Sequence, residues 1–373
     1  MLNILEDQPE TPRHCESVDA KLLYQVRESV FQVLDVIHPS LATKVNSLLV
    51  RLKLWELNLL GQHASTLVYH EPDRLILATN NTCNFKCIWC PQSLDNFSST
   101  YTMTDMKLDD IQEILGHQTR KLDRIDIQGI GEPLLHRNIV EVINIAGRHA
   151  RNVEMVTNGS LLTDERVGQL GESALTKLNV SIDGTDEETF QKIRGWSLQD
   201  IKENILRFIE GTDIPVEFWV TLSNENLDSL QNIPEFMVDF PDVSLHFQIV
   251  KEGFVGNDEW RMEQDDFAQF QVSLSGRLDQ LGIHHNLRAL RFLQKQREGT
   301  CVHPFVLRSS ISTDGNLTPC CMWTNNDLSQ VKEVGVVRAW NSDAIRKFRN
   351  LILKKDYPQH CVESCNYHPK DDK

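Results

Sequence analysis

No stretch of this 373-residue chain is apolar for long enough to cross a bilayer as a helix. Basic residues are also in short supply. There are 38 Lys and Arg against 53 Asp and Glu, a net charge of −15, which argues against a surface for nucleic acid or anionic membrane. A local basic pocket is still compatible with that balance. The first nine residues lack both a basic start and a sustained apolar segment, so no secretory signal is expected. The nine cysteines are then expected in a reducing cytoplasm, serving metals or catalysis rather than disulfides. Internal repeats and low-complexity linkers are missing too. With 40% hydrophobic and 24% charged residues, the chain has the make-up of a globular protein with one large core and one accessory domain.

The cysteines that are present fall into two groups, and only Cys15 stands apart, in a polar segment. Cys83, Cys87 and Cys90 form a Cys-x3-Cys-x2-Cys triplet directly after an apolar run at 75–79 that reads as a strand. Three thiolates on one tight loop suit three corners of a 4Fe–4S cube and leave its fourth iron without a protein ligand. A zinc site is the competing assignment, but zinc favours four ligands in paired spacings. No fourth ligand lies close by; His70 and His63 are the nearest candidates, and none of the histidines shows ligand spacing.

From residue 74 a strand–helix alternation runs six times. Strands are expected at 74–80, 124–128, 153–157, 178–182, 216–222 and 244–250, with helices near 104–121, 137–150, 163–174, 197–211 and 225–239. Thr185 and Glu188 have capping-box spacing at one helix start. Short apolar strands joined by such helices imply right-handed crossovers and a parallel sheet. Six units are too few for a closed eight-stranded barrel, and an open one fits. Upstream, Leu22, Val26, Val30, Val33, Leu34 and Ile37 share one helical face. Leu41, Val45, Leu48, Leu52, Trp55 and Leu59 share another after Pro39. Such stripes usually mean burial, so a helical cap packed under the main domain is expected; a docking platform for a partner or peptide is the alternative. Further helices are expected near 263–282, 287–298 and 339–353.

The triplet resembles the signature of the radical S-adenosylmethionine (SAM) superfamily. That resemblance implies an open (β/α)6 partial TIM barrel in which the open iron chelates the methionine group of SAM. Reductive cleavage then yields a 5′-deoxyadenosyl radical. The segment 128–136, Gln-Gly-Ile-Gly-Glu-Pro-Leu-Leu-His, resembles the family's Gly-Gly-Glu-Pro motif, with Ile130 in place of the first paired glycine. In the family such residues hold the methionine ammonium, which here implicates Gly129, Gly131 and Glu132. The resemblance also assigns Asn158, Ser181, Asp183 and Arg194, at the ends of the third and fourth strands, to the ribose and carboxylate of SAM. Asn-Gly and Asp-Gly also favour turns regardless of function.

The second group is Cys301, Cys320 and Cys321, then Cys361 and Cys365. Residues 311–319 read as a hairpin with Asp314-Gly315 at its turn. This arrangement resembles the C-terminal SPASM domain of many radical SAM enzymes, and more closely its shortened "twitch" form with one auxiliary 4Fe–4S cluster. The implied ligands are Cys301, Cys320, Cys361 and Cys365. Cys321 stands as an alternative to Cys320, as a hydrogen-atom donor, or as a buried neighbour. A structural zinc site is the competing assignment. The domains are thus expected at 1–72 (N-terminal helical extension), 73–298 (barrel) and 299–373 (SPASM/twitch).

The resemblance implies hydrogen abstraction from a C–H bond of a small-molecule or peptide substrate, with a flavodoxin- or ferredoxin-type electron donor. The short twitch pattern favours oxidation of a small molecule or sugar. Peptide crosslinking, thioether formation or epimerisation, and a non-catalytic electron-transfer or activating protein, are the alternatives.

Overall fold

A computed structural model of the chain describes residues 39–68, 70, 72–93, 103–118, 120–250, 260–290, 301, 303–306, 309–319, 330–358 and 361. Six parallel strands follow the expected alternation: β1 Arg74–Leu77, β2 Leu122–Ile127, β3 Ala150–Thr157, β4 Lys177–Ser181, β5 Val216–Leu222 and β6 Ser244–Ile249. The helices after the N-terminal α1 (Pro39–Leu60) are α2 Leu108–Gly116, α3 Ile139–His149, α4 Asp164–Gly171, α5 Glu187–Arg194, α6 Leu198–Gly211, α7 Leu227–Leu230, α8 Ile233–Phe236 and α9 Gln264–Gln280. The last region adds α10 His303–Val306, the strands β7 Ser309–Ile311 and β8 Leu317–Thr318, and the helices α11 Gly335–Trp340 and α12 Asp343–Lys354.

The eight strands form one open sheet in the order β6-β5-β4-β3-β2-β1-β7-β8. All pairs are parallel except β7 with β8. This is the α/β partial barrel expected from the alternation. The hairpin is also present, with Gly315 in the left-handed region (φ 75°) and its amide bonded to the Ser312 carbonyl at 2.9 Å. Because β7 pairs with β1, the sheet runs on past residue 299 into the last region.

Strand periodicity places alternate side chains on opposite faces of the sheet. One face is apolar and packs under the helices: Phe218 meets Phe236 of α8 and nearby Phe240, and α3 contributes the buried Ile139, Val142, Ile143 and Ile145. Each such side chain adds roughly 1.5–3 kcal/mol on burial. The inner face is polar at almost every position, and it is this face that the functional residues share.

Four local expectations differ from the structure. The cap of α5 is Asp186, which accepts from the Thr189 amide at 2.8 Å, not the Thr185/Glu188 pair; Thr185 is bonded to Ser229 instead. The helix expected over 225–239 is broken into α7, α8 and a 3-10 turn, with Pro234 at the start of α8 where it needs no amide partner. Of the helix expected at 287–298, a 3-10 turn at Leu287–Ala289 is described and 291–298 lie outside the described residues. The largest difference is in α1.

The apolar stripe of α1 points outward. Leu48, Leu52, Trp55 and Leu59 are 56%, 51%, 62% and 62% exposed, whereas Asn46, Lys53 and Leu57 are buried. Polar partners explain the inversion. The Asn46 amide donates to Asp73 at 2.9 Å, and the Lys53 ammonium donates to the Ser65 carbonyl at 2.5 Å and to Glu56 at 3.1 Å. Lys53 also lies 5.5 Å from the Phe305 ring centre. The cap therefore sits against the C-terminal region and meets the barrel at Asp73, just ahead of β1. Asn341 bonds both backbone groups of Val68 (2.9 and 2.8 Å), and buried Arg349 donates to the carbonyls of Thr66 (2.9 Å) and Pro304 (2.6 Å). The stripe at Leu22–Ile37 lies outside the described residues.

Candidate active site

The triplet loop leaves the carboxyl end of β1 and is held by the ends of β2 and β3. Asn80 donates to the Glu132 carbonyl at 2.9 Å, the Glu132 amide donates to Thr82 at 2.8 Å, and Gln92 donates to the carbonyls of Asn81 and Ile130 at 3.0 Å. Two glycines permit this approach. A Cβ on Gly131 would sit 2.6 Å from both oxygens of Asn80, and one on Gly129 would sit 2.9 Å from the Ala78 Cβ. Glu132 is buried, and its carboxylate accepts from Thr157 Oγ1 (2.7 Å), the Asn158 amide (2.8 Å) and the Leu134 amide (3.1 Å). Burial raises its pKa, and those three donors work against the rise. Glu132 thus ties the second strand end to the third.

Asn158 faces the loop, donating to Asn84 at 2.9 Å and lying 4.0 Å from Cys83 Sγ. Ser181 ends β4 on the inner face, beside Trp219 in register. Asp183 is fully buried; it accepts from the Thr221 amide at 2.7 Å and pairs with Arg194 at 2.5 Å. Burial pushes the Asp183 carboxyl up, while the guanidinium pulls it back and is itself held charged. Arg194 Nη1 lies 3.7 Å from Cys87 Sγ. The triplet, Gly129, Gly131, Glu132, Asn158, Asp183 and Arg194 are therefore gathered around one loop, with Ser181 on the neighbouring wall.

Burial pushes the Cys83 thiol up to about 11 and the Cys90 thiol to about 12, and raises Cys87 as well. Cys87 adds to the rise at both Cys83 and Cys90, and Cys83 adds to that at Cys90. Only a positively charged group can hold such buried thiols as thiolates. Among the described residues no three His, Cys, Asp or Glu side chains converge as they would around one ion. A cubane does not ask for that, because each thiolate binds a different iron. The donor set of three thiols on one loop fits three corners of such a cluster.

The sequence did not single out the inner wall of β5 and β6. Glu217, Trp219 and Thr221 stand in register with Ser244, His246 and Gln248. Ser244 donates to Glu217 at 3.0 Å, the Trp219 and His246 rings are 5.1 Å apart, and Gln248 donates to Thr221 at 3.1 Å. Alternation of apolar residues in 216–222, with Glu217, Trp219 and Thr221 between them, was the signal available. Below them, toward the amino ends of the strands, lies a floor of ions. Arg124 contacts Asp126 (2.8 Å) and Glu154 (2.6 Å), Arg74 contacts Asp126 (3.7 Å), and Lys177 contacts Glu217 (2.9 Å).

In the second cysteine group, Cys301 and Cys361 are partly buried against the core. Cys320, Cys321 and Cys365 lie outside the described residues.

A parallel open sheet with three thiols at the end of its first strand is the architecture of a radical SAM protein. The model of the radical SAM superfamily matches residues 77–237, and that of the iron–sulfur cluster-binding SPASM domain matches residues 301–366. The chain belongs to the radical SAM superfamily and is one of its enzymes, with SAM and 4Fe–4S clusters as cofactors. Among curated relatives, a probable GTP 3′,8-cyclase of Methanococcus aeolicus is 26% identical over 65% of this chain and 83% of its own length. Among solved structures, Streptococcus suis SuiB bound to S-adenosylmethionine superposes with TM-score 0.63 at 15% identity, covering 86% of this chain and 80% of SuiB. AdoMet-bound anSMEcpe superposes with TM-score 0.61 at 14% identity, covering 80% of this chain and 91% of its own. At such identities these two show the fold. Among the described residues no helix is long and apolar enough to cross a membrane.

Proposed function

We propose that this enzyme oxidises a small, uncharged, hydroxyl-bearing molecule such as a sugar, in the cytoplasm. Cys83, Cys87 and Cys90 hold the SAM-binding cluster, while Cys301, Cys320, Cys361 and Cys365 hold an auxiliary one. When bound, these groups supply one-electron chemistry that generates a hydrogen-abstracting radical and accepts an electron. Gly129, Gly131, Glu132, Asn158, Ser181, Asp183 and Arg194 form the SAM side of the site. Glu132 fixes the two strand ends relative to each other, and the glycines open a backbone edge that a ligand can approach closely.

The observation that carries the substrate class is the state of the inner-face cations. Arg74, Arg124 and Lys177 are each paired with a carboxylate of a neighbouring strand: Asp126, Glu154 and Glu217. A polyanion such as a nucleoside triphosphate would have to compete with those carboxylates for each cation, which weighs against the substrate of the cyclase relatives here. Toward the carboxyl ends the wall offers neutral donors and acceptors in Thr221 and Gln248, beside the Trp219–His246 pair. Hydroxyl groups suit the former, and the C–H face of a sugar ring suits the latter.

The first test is anaerobic reconstitution followed by SAM and dithionite. Release of 5′-deoxyadenosine is expected, and Cys87→Ala should abolish it. The second offers C-deuterated sugars and cyclitols. Deuterium should pass into 5′-deoxyadenosine, with one SAM consumed per two-electron-oxidised product; turnover restricted to phosphorylated substrates would overturn the class.

A second reading, peptide maturation, draws support from the exposed apolar stripe of α1, whose spacing of three and four suits a helix or peptide partner. Under that reading Leu52→Ser with Trp55→Ser would abolish turnover. For the small-molecule enzyme it should leave turnover unchanged.

A further inference from the structure

We propose that Arg194, clamped by Asp183, is a positioning residue that sets the charge beside the Cys87 sulfur and so raises the reduction potential of the cluster held by the triplet. The inference rests on the reading that Cys83, Cys87 and Cys90 hold a 4Fe–4S cluster.

The three thiols are not treated alike. Cys83 Sγ receives the Phe85 amide at 3.4 Å and the neutral Asn158 amide at 4.0 Å. Among the described residues, the one cation hydrogen-bonded to the triplet is Arg194, at 3.7 Å from Cys87 Sγ. Its side chain is only 11% exposed, so its charge is weakly screened by solvent. The guanidinium is also fixed. Nη2 is held by Asp183 at 2.5 Å, and Asp183 is held in turn by the Thr221 amide at 2.7 Å, while its carbonyl accepts from Asn226 at 2.9 Å.

The loop itself docks on the end of α5, the helix that carries Arg194. The Ile88 amide donates to the Ile193 carbonyl at 3.0 Å, and Phe85 stacks on Trp196 with ring centres 5.0 Å apart. Gly195, at φ 71°, turns the chain so that both contacts coexist. Cys87 and Arg194 are thereby held in register by two contacts besides their own. A fixed positive charge beside a cluster ligand favours the reduced, more negative state. Asp183, on the far side of the guanidinium, damps that effect, so the pair acts as a dipole with its positive end at the sulfur.

The two partners must therefore shift the potential in opposite directions, which a purely structural role would not produce. The test is an EPR-monitored dithionite titration of reconstituted protein without SAM, so that ligand binding does not enter. Arg194→Gln should lower the ratio of reduced to oxidised cluster at least tenfold at a fixed solution potential, equivalent to 59 mV for one electron. Asp183→Asn should raise that ratio, and Arg194→Lys should recover most of the Arg194→Gln loss. Both variants at the wild-type potential, or both shifted the same way, would overturn the inference while the cluster itself stood. If Arg194→Gln does not load iron, the sign of the Asp183→Asn shift decides. Wild-type protein that binds no cluster at this loop would overturn the underlying reading, and this inference with it.

Discussion

Replacing Gly131 by alanine tests whether the close approach of two strand ends positions the cysteine loop. The added Cβ would lie 2.6 Å from both the carbonyl and side-chain oxygens of Asn80. Ordinary contact begins near 3.4 Å, so Asn80 must retreat by the 0.8 Å between those distances. It has little room to do so. Its side chain donates to the Glu132 carbonyl at 2.9 Å, and its backbone bridges to Asp105. Overpacking of this kind costs roughly 1–3 kcal/mol, and losing the Asn80–Glu132 bond adds about 1 kcal/mol. A destabilisation of about 2–4 kcal/mol is therefore expected, read as a lower urea midpoint at unchanged slope. Because Asn80 lies three residues before Cys83, reconstituted iron should fall as well. Gly168→Ala is the control: nothing lies within 4 Å of its Cβ, and alanine in mid-helix should add about 0.5–1 kcal/mol. A Gly131→Ala protein within about 0.5 kcal/mol of wild type, with full iron content, would refute the argument.

Other expectations follow from buried charge. Arg349→Ala strips three acceptors, the carbonyls of Pro304 and Thr66 and the side chain of Asn341, and removes a cation 4.9 Å from the Trp340 ring centre. A loss of at least about 3 kcal/mol is expected by chemical denaturation; a loss below 1 would show that the joint between α1 and the last region is not held there. For Glu217, burial alone would raise the pKa, but bonds from Lys177, Trp219 and Ser244 hold it below the usual value. A depressed folded-state pKa gives stability that is present above the unfolded value, near 4.3, and is lost as pH falls through the folded one. Urea midpoints should therefore drop below about pH 4 in wild type, with a change in tryptophan emission. Glu217→Gln should flatten that dependence, and an unchanged pH profile would count against the ion floor. On α1, Leu48→Ser should alter stability by no more than about 0.5 kcal/mol, whereas a loss above 2 would mean that the stripe is covered in solution.

The sequence by itself determined the six-fold strand–helix alternation, the parallel sheet and the cysteine loop after the first strand. These are local signals: period-2 apolar runs, helix-length spacers and a spacing of thiols within eight residues. It also marked the strand-end residues around that loop, because in a parallel sheet every carboxyl end opens on the same side. What only the tertiary structure decided depends on partners distant in the chain. The stripe of α1 reads as a core face, yet Asn46 and Lys53 point inward because Asp73, Ser65 and Phe305 wait there. Arg194 reads as a carboxylate binder, but that it is clamped by Asp183, eleven residues earlier, and lies beside Cys87 followed only from the docking of the loop on α5. The pairing of Arg74, Arg124 and Lys177 likewise required the register of neighbouring strands. Periodicity fixes which side chains share a face, but charge partners across strands are fixed only when the sheet closes its register.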